Sequence, residues 1–121
     1  AIEVSPLDWS LGAHYTNLFF TNQSEEQGER AKFMTDMQGG IVGLSENQVF
    51  QNWVDTFDMM KTYNSAAKSP LSADYDSATL ALANGDVGLW FMGNWAYPQL
   101  KEANPDANIG ILPVPLSIHV W

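Results

Sequence analysis

Residues 81–96 read ALANGDVGLWFMGNWA, and this stretch decides the fold. Small residues over 78–83 predict a short helix, which Gly85 ends because glycine readily takes the left-handed conformation at a helix C-terminus. The apolar run 87–92 has the length of a strand and predicts one that is buried. Residues 94–101 predict a further helix. The order helix, strand, helix indicates an α/β unit.

Outside this stretch the apolar spacing is mainly helical. The clearest case begins at Ser45, which can form a capping box with Gln48 ahead of an apolar stripe of helical period. Short apolar runs closed by prolines predict strands nearer the two ends. The predicted helices are 10–21, 25–37 and 46–63, and the outer strands are 2–4 and 109–112. The sequence therefore predicts one helix-dominated α/β domain over residues 1–121.

Composition excludes several classes of partner. The chain carries 14 acidic and 5 basic residues, a formal net charge of -9, so it repels phosphate backbones and anionic membrane surfaces. We expect no nucleic-acid binding. Cysteine is absent, which excludes disulfides and thiolate metal sites. The sequence opens without an initiator Met or a signal peptide, and both ends are interpreted as cuts from a longer precursor.

Signatures of catalysis are missing from the sequence. Neither His14 nor His119 lies in a metal-ligand spacing, and His14 is interpreted as a partly buried, hydrogen-bonded side chain of a helix. The acidic residues Asp74 and Asp76 lack the glycine and glutamate of a calcium loop, and helix capping is the better interpretation. No Gly-x-Ser-x-Gly motif is present. We predict a protein that is not an enzyme and that holds neither metal nor cofactor.

The five tryptophans are the most informative residues. Trp53 and Trp90 fit core patterns. Trp95 lies at a strand-to-helix junction, where α/β folds gather ligands, and Trp9 lies just ahead of a predicted helix. A flat indole matches the apolar face of a pyranose ring, and neighbouring carboxylate and amide groups can bind its hydroxyls. The candidate ligand-binding residues are Trp95, Trp9, Asn94 and Asp8. Ordinary packing at a helix start is the alternative for each tryptophan.

From Asp74 onward the ordered motifs resemble the second lobe of family 1 extracellular solute-binding proteins, the maltose-binding-protein-like receptors of ABC sugar importers. In that family a small-residue helix is followed by a glycine turn, a strand, a Gly-x-Trp step, a helix and a strand ending in Pro-x-Pro. Residues 81–96 and 109–115 follow this order, with Asp86 where lysine is common. The resemblance implies part of the C-terminal lobe of a periplasmic-binding-protein-like (type II) fold.

The resemblance also implies a function. The family's Gly-x-Trp tryptophan commonly stacks on the sugar, a role that would fall on Trp95, with Trp9 as its partner in the cleft. The parent would bind an oligosaccharide without catalysis, deliver it to ABC permease subunits, and reside in the periplasm, at the cell surface or outside a bacterial cell. Because the second lobe is missing, we expect weak or undetectable sugar binding by this chain alone, and a homodimer that covers exposed core aromatics.

Two other functions are alternatives to sugar binding. A helical protein-protein interaction module with no small-molecule site predicts that Trp9 and Trp95 are buried and far apart. A hydrolase lobe needs a paired-carboxylate cleft, which the sequence does not reveal.

Overall fold

Helices dominate the chain in the computed structural model, which describes residues 1–116. Helices account for 54% of the described residues, which confirms that the fold is dominated by helices. The remaining regular structure is a small two-stranded parallel sheet, which is compatible with the predicted α/β class. His119 lies outside the described residues. In chain order the elements are strand β1 (Ile2–Glu3), a π-helix (Asp8–Tyr15), α1 (Thr16–Thr21), α2 (Gln27–Gln38), α3 (Gln48–Thr62), a 3-10 turn (Pro70–Ser72), α4 (Tyr75–Ala83), β2 (Leu89–Trp90), a second 3-10 turn (Asn94–Ala96) and α5 (Tyr97–Ala103).

The sheet consists of β1 and β2, which run parallel with Ile2 opposite Leu89 and Glu3 opposite Trp90. The strand expected over 87–92 is therefore shorter than predicted, and the prediction that it is buried is wrong, because Leu89 is 54% exposed. The strand expected over 109–112 is wrong, because this segment has no regular structure in the described chain. Ile111 and Leu112 are 66% and 78% exposed, so their apolar pattern does not mark a buried strand here.

Helix boundaries follow from side-chain caps. The predicted cap at Ser45 is wrong, since Asn47 takes that role and its Oδ1 accepts a hydrogen bond of 2.8 Å from the backbone N–H of Phe50. Asp74 caps α4 by accepting from the N–H of Ser77 at 2.9 Å, and this bond is the first cause that holds the pKa of its carboxyl below the usual value. The predicted end at Gly85 is confirmed by its φ of 79°.

Two apolar clusters form the core. The first joins β1, the π-helix and α3 around Val4, Tyr15 and Met60. The second cluster joins α4 to the second 3-10 turn and α5. The buried residues of this cluster are Ala83, Ala96 and Leu100. Trp53 packs against the first cluster and Trp90 against the second. Within residues 1–116, no helix has both the length and the apolar character required to cross a bilayer.

Tyr15 and Trp53 lock the π-helix onto α3. Tyr15 is only 1% exposed, and its hydroxyl donates to the Trp53 carbonyl at 2.6 Å while the Trp53 indole N–H donates to the Tyr15 carbonyl at 3.0 Å. The two rings stack with centroids 5.2 Å apart. Burial raises the pKa of Tyr15 to about 12, because its anion would lose hydration. The π-helix is thus fixed at its C-terminal end.

Candidate ligand-binding site

Trp9 and Trp95 lie side by side on the surface. Their ring centroids are 6.1 Å apart with planes inclined by 61°, and the residues are 40% and 50% exposed. The sheet explains why they meet. Parallel strands end at the same edge, and Trp9 follows β1 a few residues on, as Trp95 follows β2. Both predicted tryptophans therefore emerge at one edge, as a pair that we call the indole pair.

The helix that carries Trp9 is a π-helix over its first two turns, where the sequence predicted an ordinary helix over 10–21. In a π-helix the hydrogen bonds join residues five apart, so positions i and i+5 lie on the same face. Trp9 and His14 have this spacing, and their rings meet edge to face with centroids 5.9 Å apart. In an α-helix the same positions would point about 140° apart.

His14 is the site residue that sequence reasoning missed. Its ring lies 5.2 Å from that of Trp95 as well as beside Trp9, so three rings contact one another. The prediction of a partly buried, hydrogen-bonded histidine is wrong, since the residue is exposed and its side chain makes no hydrogen bond within residues 1–116. The i, i+5 spacing from Trp9 was visible in the sequence, but it has meaning only if the helix is π.

Gly93 sets the position of the Trp95 indole. Gly93 has an extended backbone and precedes the second 3-10 turn, and the six-membered ring of Trp95 lies where a Cβ of residue 93 would be. A Cβ at residue 93 would overlap with ring carbons Cζ3, Cη2 and Cε3. The Gly-x-Trp spacing therefore has a packing reason in this chain, because only glycine leaves room for the indole in this place.

Two further aromatic residues support the indole pair from below. The Tyr75 ring lies 6.4 Å from that of Trp9 and 5.0 Å from that of Trp90, and both Tyr75 and Trp90 pack on the second core cluster. Burial, with a smaller effect from Asp76, raises the pKa of the Tyr75 hydroxyl. The indole pair is thus connected to the core by packed rings and is held in a defined orientation.

Asp8 and Asn94 flank the pair as the first residues of the π-helix and of the second 3-10 turn. Both are exposed, and within the described chain neither side chain makes a hydrogen bond. A carboxylate only accepts hydrogen bonds, whereas an amide donates and accepts. Across residues 1–116, no three metal-ligating side chains come close enough to hold an ion. The arrangement offers flat apolar surface with polar groups beside it.

The indole pair faces open solvent. A shallow hollow of about 340 Å³ lies elsewhere, and another of about 510 Å³ is lined by residues 69–72. The lining of the first is Gln23, Ser24, Glu29, Lys32, Phe33 and Asp36. Neither hollow touches Trp9 or Trp95, whose side chains are partly exposed on the surface.

Comparison with known proteins found no matching family model, no matching curated protein and no matching solved structure. Function is therefore inferred from the geometry around the indole pair and from the motifs of the sequence. The indole pair places two partly exposed aromatic rings next to each other, and contiguous exposed apolar surface is a feature of binding sites.

Proposed function

We propose that this chain binds an oligosaccharide on the indole pair, without catalysis, as part of the substrate-binding protein of an ABC sugar importer. One observation carries the proposal. Two half-exposed indoles contact each other at the surface, and both occupy positions that the sequence marked for stacking on a sugar. Exposed tryptophan is unfavourable in water unless a partner covers it.

The expected affinity follows from the exposed area. Covering roughly 60 Å² of apolar surface on each indole contributes on the order of 1.5 kcal/mol per ring. Two rings then supply about 3 kcal/mol, and each well-placed hydrogen bond to a hydroxyl adds about 1 kcal/mol. A dissociation constant of 1 mM corresponds to about 4 kcal/mol. Association also costs translational and rotational freedom, which offsets part of this gain. We therefore expect weak binding by this chain, in the millimolar range or above, which a titration into the tens of millimolar detects.

Asp8 and Asn94 supply the polar part of the site in this proposal. A stacked pyranose directs its hydroxyls outward past the edge of the indole, where exposed carboxylate and amide groups can reach them. Stacking then provides most of the affinity, whereas the fixed polar groups distinguish one sugar from another. The net charge of -9 does not oppose a neutral ligand of this kind.

The remaining parts of the proposal come from the resemblance to family 1 solute-binding proteins. The chain would form part of the C-terminal lobe of a type II fold, and a second lobe would close over the open side of the pair by a hinge motion. Such a parent works outside the cytoplasmic membrane with ABC permease subunits. The alternative, a helical interaction module, predicts buried and separated tryptophans, which differs from the 40% and 50% exposure and the 6.1 Å separation.

Binding is tested by titrating the chain with maltotriose, cellotriose, xylotriose and mannotriose, each into the tens-of-millimolar range, in two-dimensional 1H–15N NMR. We expect saturable shifts of the Trp9 and Trp95 indole N–H signals with at least one trisaccharide, and no saturable shifts in Trp95→Ala. Tyr63→Ala is the matched control, because Tyr63 is 65% exposed and lies outside the ring cluster. If no trisaccharide gives a saturable shift, or if Trp95→Ala binds as the unaltered chain does, the proposal fails.

A further inference from the structure

The His14 ring contacts both indoles of the pair. Its centroid lies 5.9 Å from that of Trp9 with planes at 80°, and 5.2 Å from that of Trp95 with planes at 43°. The imidazole therefore lies at the junction of the two stacking surfaces. A ring stacked on either indole would have its edge near this imidazole.

Packing holds the imidazole without occupying its nitrogens. The residue is exposed, and within the described chain neither Nδ1 nor Nε2 takes part in a hydrogen bond. Contacts between ring faces and edges restrict its rotation, so little conformational entropy is lost when a ligand binds to it. An oriented polar group with free hydrogen-bonding capacity beside apolar plates is the usual composition of a small-molecule site.

The chemistry of imidazole complements that of its neighbours. Neutral histidine has one donor and one acceptor nitrogen, which matches a hydroxyl that itself donates and accepts. The carboxylate of Asp8 can only accept hydrogen bonds. Asn94 lies in the second 3-10 turn, beside Trp95, and not in the π-helix that carries His14. His14 thus adds a group that both donates and accepts hydrogen bonds, within reach of both indoles.

The π-helix provides an independent reason to assign a role to His14. The segment Asp8–Tyr15 adopts a conformation that is rare and that is found frequently at functional sites. Its effect here is to place His14 on the same face as Trp9. An α-helical path would direct the imidazole away from both indoles, so the unusual winding serves the ring cluster.

We propose that His14 is a third ligand-contacting residue of the carbohydrate site and binds a hydroxyl of the sugar that stacks on the indole pair. This inference rests on the proposed function. It predicts that the imidazole nitrogens, and not only the ring, contribute to affinity. Loss of one such hydrogen bond, worth about 1 kcal/mol, reduces affinity by about fivefold.

The test compares His14→Phe, which keeps an aromatic ring against both indoles but has no nitrogen, with His14→Gln, which keeps a donor and an acceptor. Both are titrated by NMR with whichever of the four trisaccharides binds the unaltered chain. We expect His14→Phe to bind about fivefold more weakly and His14→Gln to stay within about twofold of the unaltered affinity. In the unaltered chain, saturation should shift the imidazole 15N signals in long-range 1H–15N spectra.

The outcomes separate the two proposals. Unchanged affinity in His14→Phe, or imidazole 15N signals that do not move at saturation, would overturn the role of His14 while sugar binding stands. Absence of binding by the unaltered chain would overturn the proposed function and this inference with it. If His14→Phe does not fold, as judged from the dispersion of its amide signals, the comparison of His14→Ala with His14→Gln decides in the same way.

Discussion

Replacing Tyr15 by phenylalanine tests how firmly the π-helix is attached to the core. The substitution removes the 2.6 Å hydrogen bond from the hydroxyl to the Trp53 carbonyl and leaves the ring contacts in place. That carbonyl lies inside α3, where it also accepts from the amide one turn on, so it is not left without a partner. We expect a loss of about 1 kcal/mol in unfolding free energy. For a chain of this length that corresponds to a fall of about 3–5 °C in Tm.

The effect of Tyr15→Phe on the free energy of unfolding should also depend on pH. Burial raises the pKa of Tyr15 to about 12, whereas an unfolded tyrosine has a pKa of about 10. The folded chain therefore holds the phenolic proton more tightly than the unfolded chain does. The resulting stability is complete below pH 10 and is lost as the pH rises towards 12. At pH 11 the loss of unfolding free energy is about 1 kcal/mol, and Tyr15→Phe does not show this loss because phenylalanine has no proton to release.

Urea unfolding followed by circular dichroism measures both effects. We expect the unaltered chain to be more stable than Tyr15→Phe by about 1 kcal/mol at pH 8, and the two to be equal within about 0.5 kcal/mol at pH 11. Changes in all other groups cancel in this difference. Tyr63→Phe, at a 65% exposed position, is the control and should differ by less than about 0.5 kcal/mol at pH 8. A difference between the chains that stays the same from pH 8 to pH 11 would refute the reasoning.

Two other predictions concern the site and the surface. Gly93→Ala forces the Trp95 indole out of its position. We expect trisaccharide binding, measured by NMR titration, to become at least tenfold weaker with little change in Tm. Unaltered affinity would contradict the packing of the indole on Gly93. Exposed apolar side chains such as Leu71 (86%) and Leu112 (78%) support a homodimer at high concentration, and light scattering that gives the monomer mass at every concentration would count against it.

Part of the fold and of the site could be predicted from local sequence. Helical spacing identified the long helix that is now α3, and the glycine at residue 85 ended α4 as expected. These features depend on interactions between residues close in the chain. Local position also selected Trp9 and Trp95. The strand over 109–112 could not be judged in this way, because an apolar run forms a strand only where a neighbouring strand is available to pair with it.

The helical character of the chain, the turn after its small-residue helix and the two tryptophans beside the junctions follow from local sequence. Tertiary structure alone decided that they meet. The parallel pairing of Glu3 with Trp90 brings the two junctions to one edge, and the π-helix turns His14 onto the same face as Trp9. The strand pairing depends on contacts between segments far apart in the chain. The π-helix depends on a helical register that side-chain spacing does not encode. For these two reasons the three-ring cluster could not be predicted from the sequence.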